Sequence, residues 1–282
     1  MRWIPAFVSS DPGRPGPPAL RAGGGLVALL AIAAWLGPAL VPFDPATQEL
    51  ALRLGGPTLT HPMGLDELGR DMLARVLAGA RVSFLVALVV VAVSAIVGTL
   101  VGAVAGYFGG WVDEVLSRAM ETLLAFPGLL LAIALVAVLG PSLTNVLAAL
   151  TVIGWVGYAR LVRGQVLRTR ELNYVRAAEA LGARSLWVLW RHVIPSAAPA
   201  VIVQATLGMA GAIMSEAALS FLGLGVQPPT PSWGTMLAGG RAHLLDAPHI
   251  TVFPGLAMAL LVIGFNFLGD GLRDLTDPRR RH

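Results

Sequence analysis

The sequence contains no cysteine and no lysine. The first absence excludes a disulfide framework, a thiolate metal site and a cysteine nucleophile. The second removes the lysine of a phosphate-binding P-loop and any Schiff-base chemistry, so the chain carries no Walker-type nucleotide site of its own. Charge is also scarce. Only 13% of the 282 residues are charged while 56% are hydrophobic, and the mean hydropathy is +0.74. Soluble domains use roughly 45–50% apolar and about 25% charged residues, so a soluble globule of this length would expose apolar patches that aggregate. The composition implies the bilayer as solvent. All 20 basic residues are arginine, and they exceed the 16 acidic ones to give a net charge of +4. Whether that sign means nucleic acid or membrane depends on where the arginines fall.

A transmembrane helix needs about 20 mostly apolar residues, and six charge-free windows of that order are present. The first is Leu26 to Val41. The second follows Arg81 and ends before Asp113. Two more fit between Glu121 and Arg160, with Gly140-Pro141-Ser142 as their turn. The fifth runs over 197–219 and the sixth over 250–268. An even count puts both termini on one side of the membrane. With the N-terminus inside, fifteen arginines fall in cytoplasmic segments and five outside, which satisfies the positive-inside rule and accounts for the basic balance without nucleic acid. Segments 43–80 and 222–248 are then external.

This reading divides the chain into five parts. Residues 1–22, rich in Pro, Gly and Ser, form a disordered cytoplasmic tail, and 23–42 form the first transmembrane helix. An external segment with an amphipathic helix occupies 43–81. A five-helix core over 82–275 contains a cytoplasmic stretch at 160–195, and a basic cytoplasmic tail covers 276–282. A cleaved signal peptide is the competing reading of the N-terminus, but Gly37-Pro38-Ala39-Leu40-Val41-Pro42 is a poor cleavage site.

The stretch 160–195 is helical in pattern. Tyr174 to Leu181 reads as a short helix with Val175, Ala178 and Leu181 on one face and Arg176 and Glu179 on another. Gly182 can take the left-handed position after it, and Ser185 can cap a second helix, 186–193, that Pro195 ends. The small residues Ala177, Ala178 and Ala180 leave the first helix slim enough to enter a groove on another protein. A helix lying on the lipid surface, anchored by Arg184, Arg191, Trp187 and Trp190, is the alternative.

Tyr174 to Gly182, followed by Arg191-His192-Val193-Ile194-Pro195, resembles the EAA loop of bacterial ABC-transporter permeases, a Glu-Ala-Ala, three residues, Gly, nine residues and Ile-x-Leu-Pro. Ala177, Ala178, Gly182 and Pro195 match its spacing. Arg176, His192 and Ile194 depart from it, and these departures resemble the variant of peptide and nickel permeases. His61-Pro62-Met63-Gly64-Leu65-Asp66-Glu67-Leu68-Gly69-Arg70-Asp71 is similar to the entry into the second helix of the C-type subunit in that group. Gly106 to Glu114, Leu124 to Pro127, Ser220 to Gly234 and Asn266 to Asp274 look like its later sections, so the resemblance covers roughly residues 26–280. It implies an all-α integral membrane protein with about six transmembrane helices in the type I ABC-importer permease fold. It implies as partners a homologous B-type permease, two cytoplasmic ATPase subunits that bind ATP and Mg, and an external substrate-binding protein. No cofactor, catalytic residue or metal is expected on this chain. By the same resemblance, Arg176, Ala177, Ala178, Glu179, Leu181, Gly182 and Pro195 belong to the coupling segment that docks on an ATPase. Peptides are the expected substrate class, with nickel chelates and glutathione as alternatives.

Further residues carry two readings each. Glu216 is the one carboxylate well inside an apolar window, either a pathway or gate residue or an outer-interface residue in water. Gly98, Gly102 and Gly106 form a small-residue row suited to close helix packing, within the chain or against a second permease, with substrate contact as the other reading. Gly69, Arg70 and Asp71 precede the second helix, where an ion pair between Arg70 and Asp71, or to a partner, would hold an external amphipathic helix over 68–81, with substrate binding as the other reading. The five histidines lack ligand spacing. The rival mechanism is a secondary transporter driven by an ion gradient, which usually shows internal repeats and ionisable groups at midplane. Neither feature is visible. No Gly-x-Ser-x-Gly or His-Glu-x-x-His supports a membrane hydrolase.

Overall fold

The computed structural model describes residues 18–276. Ten α-helices occur among them: α1 (Pro18–Leu40), α2 (Met72–Phe108), α3 (Gly110–Leu124), α4 (Gly128–Leu139), α5 (Leu143–Thr169), α6 (Asn173–Ala180), α7 (Ser185–Val188), α8 (Ile194–Phe221), α9 (Trp233–Gly240) and α10 (His249–Thr276). Five stretches are long and apolar enough to cross a membrane: α1, α2, α5, the continuous run Ser185–Phe221 and α10. Of the expected tails at 1–22 and 276–282, residues 1–17 and 277–282 lie outside the described residues. Helix α1 nevertheless includes residues 18–22 of the segment expected to be disordered.

The third apolar window departs most from expectation. Phe126 precedes Pro127, which disfavours helical geometry there, and the chain breaks into α3 and α4 meeting at 82°. Helix α4 has 12 residues, about 18 Å at the α-helical rise and well short of a roughly 30 Å hydrocarbon core. The predicted external amphipathic helix is also absent as a separate unit. Residues 72–81 are the first turns of the 37-residue α2, whose N-cap is Asp71, accepting from the Ala74 N–H at 2.7 Å.

Helix α2 is the central element, packed against α5, α8 and α1, while α10 packs on α1 and α8. The main core gathers Phe84, Ile213, Leu219, Trp233 and Leu261. Pro38 within α1 cannot donate to the carbonyl of Ala34, and Arg81 of α2 supplies that bond instead, Nε donating to Ala34 at 2.7 Å and Nη2 to Trp35 at 2.6 Å. The glycine row of α2 lies along the seam with α5. A Cβ on Gly102 would lie 2.2 Å from the Ala159 carbonyl, and on Gly98 2.5 Å from that of Trp155. Gly106 meets Val166 of the same helix.

Segments 41–71 and 222–248 share one end of the bundle. Trp233 Nε1 donates to the Val76 carbonyl at 3.0 Å, and His249 Nε2 donates to that of Leu65 at 3.0 Å. Buried charge reinforces this end. Arg70 Nε donates to Asp66 Oδ2 at 2.6 Å, and Asp66 Oδ1 accepts from the backbone of Leu68 and Arg70. Arg75 Nε sits 3.3 Å from the same Oδ2 without the alignment of a hydrogen bond, while its Nη1 donates to the Pro45 carbonyl at 3.1 Å. The expected pair between Arg70 and Asp71 therefore does not form: neighbouring side chains in extended backbone point apart, so Arg70 turns to Asp66 and Asp71 pairs with His61 at 2.8 Å. Gly69 makes the turn, so close to Glu49 that a side chain would strike its carbonyl.

Candidate functional site

At the opposite end, α5 and α8 are joined by the helix–turn–helix unit of α6 and α7. Helix α6 adheres through Val175, fully buried against a small cluster containing Val162, Val166, Val188 and Val193. Ala178 is half-buried on the same cluster. Ala177, Glu179 and Ala180 face outward with Arg176, whose guanidinium bonds to Glu171 and holds that carboxyl below the usual carboxylate range. Gly182 has φ of +82°, its N–H bonds to Glu179 at 2.9 Å, and the Ala183 N–H reaches back to Ala178 at 3.1 Å. These two bonds close α6 in a Schellman motif, which needs the left-handed residue that glycine provides.

Three sequence expectations change here. Leu181 is not on the inner face: it follows the last helical residue and is 90% exposed. Ser185 does not cap α7, where Arg184 occupies the cap position without a side-chain bond. Pro195 does not end the second helix, because α7 passes through a π-turn at 189–193 into α8, where proline falls in the first turn and its missing N–H is tolerated. The result is an exposed apolar surface of Leu181, Leu186, Trp187 and Trp190 around a fixed turn. Polar tethers hold the unit. Tyr107 Oη donates to Glu179 Oε1 at 2.7 Å, Arg170 Nη1 to the Gly106 carbonyl at 3.2 Å, and the Thr169 and Ser196 hydroxyls meet at 2.9 Å. Arg163 of α5 grips Asp113 of α3 through two bonds of 2.5 and 2.7 Å.

Glu216 is fully buried. Its Oε1 accepts from Ser220 Oγ at 2.7 Å and its Oε2 from Ser83 Oγ at 3.4 Å, joining α8 to α2. It is thus removed from the water of an outer interface, and it does not line the cavity that opens among the long helices. That cavity, of about 260 Å³, lies among α2, α4, α5 and α8 near the middle of the long helices. Its polar lining comes from Ser94, Tyr158, Gln204 and Ser215. None of these was singled out from the sequence. The signal was nevertheless there: Gln204, Gly208, Gly211 and Ser215 recur at helical spacing, a small and polar stripe on an apolar span. Among the described residues no three of His, Asp and Glu converge as a metal site would require.

Residues 98–282 match the family described as binding-protein-dependent transport system inner membrane component. The chain is similar to the glutathione transport system permease protein GsiD of Pectobacterium atrosepticum, at 42% identity over 93% of this chain and 87% of the relative. It is 46% identical to the protein of that name from Escherichia coli over 79% of this chain and 74% of the relative. It is also 42% identical to the dipeptide transport system permease protein DppC of Alkalihalophilus pseudofirmus, over 81% and 75%. With an all-helical fold, five membrane-length stretches and a bent pair, the chain belongs to the family of binding-protein-dependent transport system inner membrane components and is a multi-pass permease component of an ABC importer.

Proposed function

We propose that this chain forms half of the translocation pathway of an ATP-driven importer for small peptides or a peptide-like solute such as glutathione, and that α6 and α7 couple it to an ATPase. The observation that carries the coupling is the exposed unit at 173–190. A 90% exposed leucine beside a glycine-closed helix end is costly to leave in water and suits a complementary groove. The ATP and Mg belong to two cytoplasmic ATPase subunits, a homologous B-type permease completes the pathway, and an external binding protein delivers the solute. Both termini and the unit 160–195 face the cytoplasm in this reading, with 43–80 and 222–248 outside, on the strength of the fifteen-to-five arginine split. The relatives' names motivate the substrate class.

The coupling test uses outward residues. Ala178, attractive from the sequence, is a poor probe because it packs on the chain's own cluster. Leu181→Asp and Ala177→Glu are expected to reach the membrane at normal level and to lose ATPase copurification, substrate-stimulated ATP hydrolysis and uptake together. If both variants transport normally, the lipid-surface reading favoured by the exposed Trp187 and Trp190 takes its place. Orientation is tested separately. Ser185→Cys is expected to stay unlabelled by an impermeant thiol reagent in whole cells and Thr230→Cys to react, against a chain that has no cysteine; the reverse pattern inverts the topology.

A further inference from the structure

The cavity among α2, α4, α5 and α8 combines three features that point to one ligand chemistry. The first is a buried hydroxyl with nothing to bond. Ser94 is 1% exposed, its Oγ has no hydrogen-bond partner among the described residues, and it lines the cavity. An unmade bond at such a position is costly unless something visits it. The second is room kept open for hydroxyls. A Cβ on Gly154 would come within 2.5 Å of Ser94 Oγ, and one on Gly208 within 2.6 Å of Tyr158 Oη, so a single methyl at either position would displace a polar group. Tyr158 Oη is itself only weakly engaged, 3.4 Å from the Gln204 carbonyl. The third is the start of α4. Gly128 and Leu129 line the cavity, no side chain caps that terminus, and the first N–H groups of a 12-residue helix carry the positive end of its dipole. The lining contains no charged side chain. Glu216, next in sequence to Ser215, is occupied with Ser83 and Ser220.

We propose that this cavity is a subsite for a carboxylate group of the transported solute, held by the uncapped N-terminus of α4 and the hydroxyls of Ser94 and Tyr158. The inference rests on the peptide-import reading and deepens it. A cation would find no counter-charge here. An anion finds N–H and O–H donors but no guanidinium, a combination that binds and lets go, as a site on a path must. The break between α3 and α4, a bend of 82° within one crossing, is then what brings a helix terminus to the middle of the long helices, where discontinuous helices serve ion and substrate sites.

Gly211 offers a clean probe, since it lines the cavity and a Cβ there meets nothing within 4 Å. In the reconstituted full assembly, Gly211→Cys is expected to react about fivefold faster with an anionic thiosulfonate than with its cationic analogue, after correction for their rates with free thiol. Millimolar alanyl-alanine is expected to protect it, and alanyl-alanine amide is not. Adding Ser94→Ala should weaken the protection severalfold and narrow the preference for the anionic reagent. Equal or cation-favouring labelling, no labelling, or protection by both peptides alike each overturns the carboxylate assignment. Dipeptide uptake by the same vesicles separates the two ideas: uptake with no selectivity discards the subsite alone, whereas absent uptake discards the peptide reading.

Discussion

The two ends of this bundle are built on different principles. At one end, 41–71 and α9 are fastened by groups withdrawn from water: Asp66 with Arg70 and Arg75, Asp71 with His61, and Trp233 and His249 on backbone carbonyls. At the other, α6 and α7 rest on a few valines and a handful of rim contacts, and they expose Leu181, Leu186, Trp187 and Trp190. Buried, multiply bonded charge is hard to rearrange because every partner must be satisfied again elsewhere. A lightly tethered unit with an unfinished apolar surface is suited to another protein. One end is closed by buried polar bonds and the other leaves an apolar surface exposed.

Removing Asp66 should break the comparison hardest. It would strand two buried arginines and free two backbone N–H groups, so Asp66→Ala should cost about 3–5 kcal/mol, read as a large fall in thermal midpoint of the purified protein. Asp66→Asn, which keeps an acceptor, separates charge from hydrogen bonding. A variant as stable as the parent would show that this end is held by packing instead. Next in size is Gly102→Val, which drives atoms into the Ala159 backbone and should destabilise by about 1–3 kcal/mol or more by overpacking the α2–α5 seam. The same assay measures it, and a silent substitution would mean that the two helices already stand apart.

The interface end should respond more gently in stability and more sharply in coupling. Gly182→Val forces a β-branched residue to φ of +82°, a strain of about 1–3 kcal/mol confined to a turn with open space around it. Expression should change little and the midpoint should fall less than for Gly102→Val, while ATPase copurification falls, and unchanged copurification would argue against a fixed turn. The smallest effect is expected of Tyr107→Phe. Losing the bond to Glu179 removes about 0.5–1.5 kcal/mol, seen as faster amide exchange over 173–181 with 61–75 unaffected. If both regions speed up together, the ends are not independent.

Much of the candidate site was legible residue by residue. The short helix over 174–181 emerges as Asn173–Ala180, and Gly182 takes the left-handed position that its place after a helical pattern suggests. The orientation of its side chains was less legible. Periodicity put Val175, Ala178 and Leu181 on one face, but the helix stops at Ala180 and the turn throws Leu181 outward. Pro195 misled for a related reason: proline ends a helix from within yet is welcome in a first turn, and only the π-turn before it shows which case holds. The cavity was hidden because its lining comes from four helices far apart in sequence.

By itself the sequence determined the solvent, the number of apolar windows, the lack of a P-loop lysine and the positions of the small-residue rows, because these depend on composition and local spacing. The tertiary structure decided which partner each group takes. It turned Arg70 to Asp66, carried Glu216 into a serine-lined contact between α8 and α2, and bent the third window through 82° so that α4 begins beside Ser94. Such choices follow from burial and from satisfying polar groups at long range. No single stretch of sequence contains both halves of those contacts.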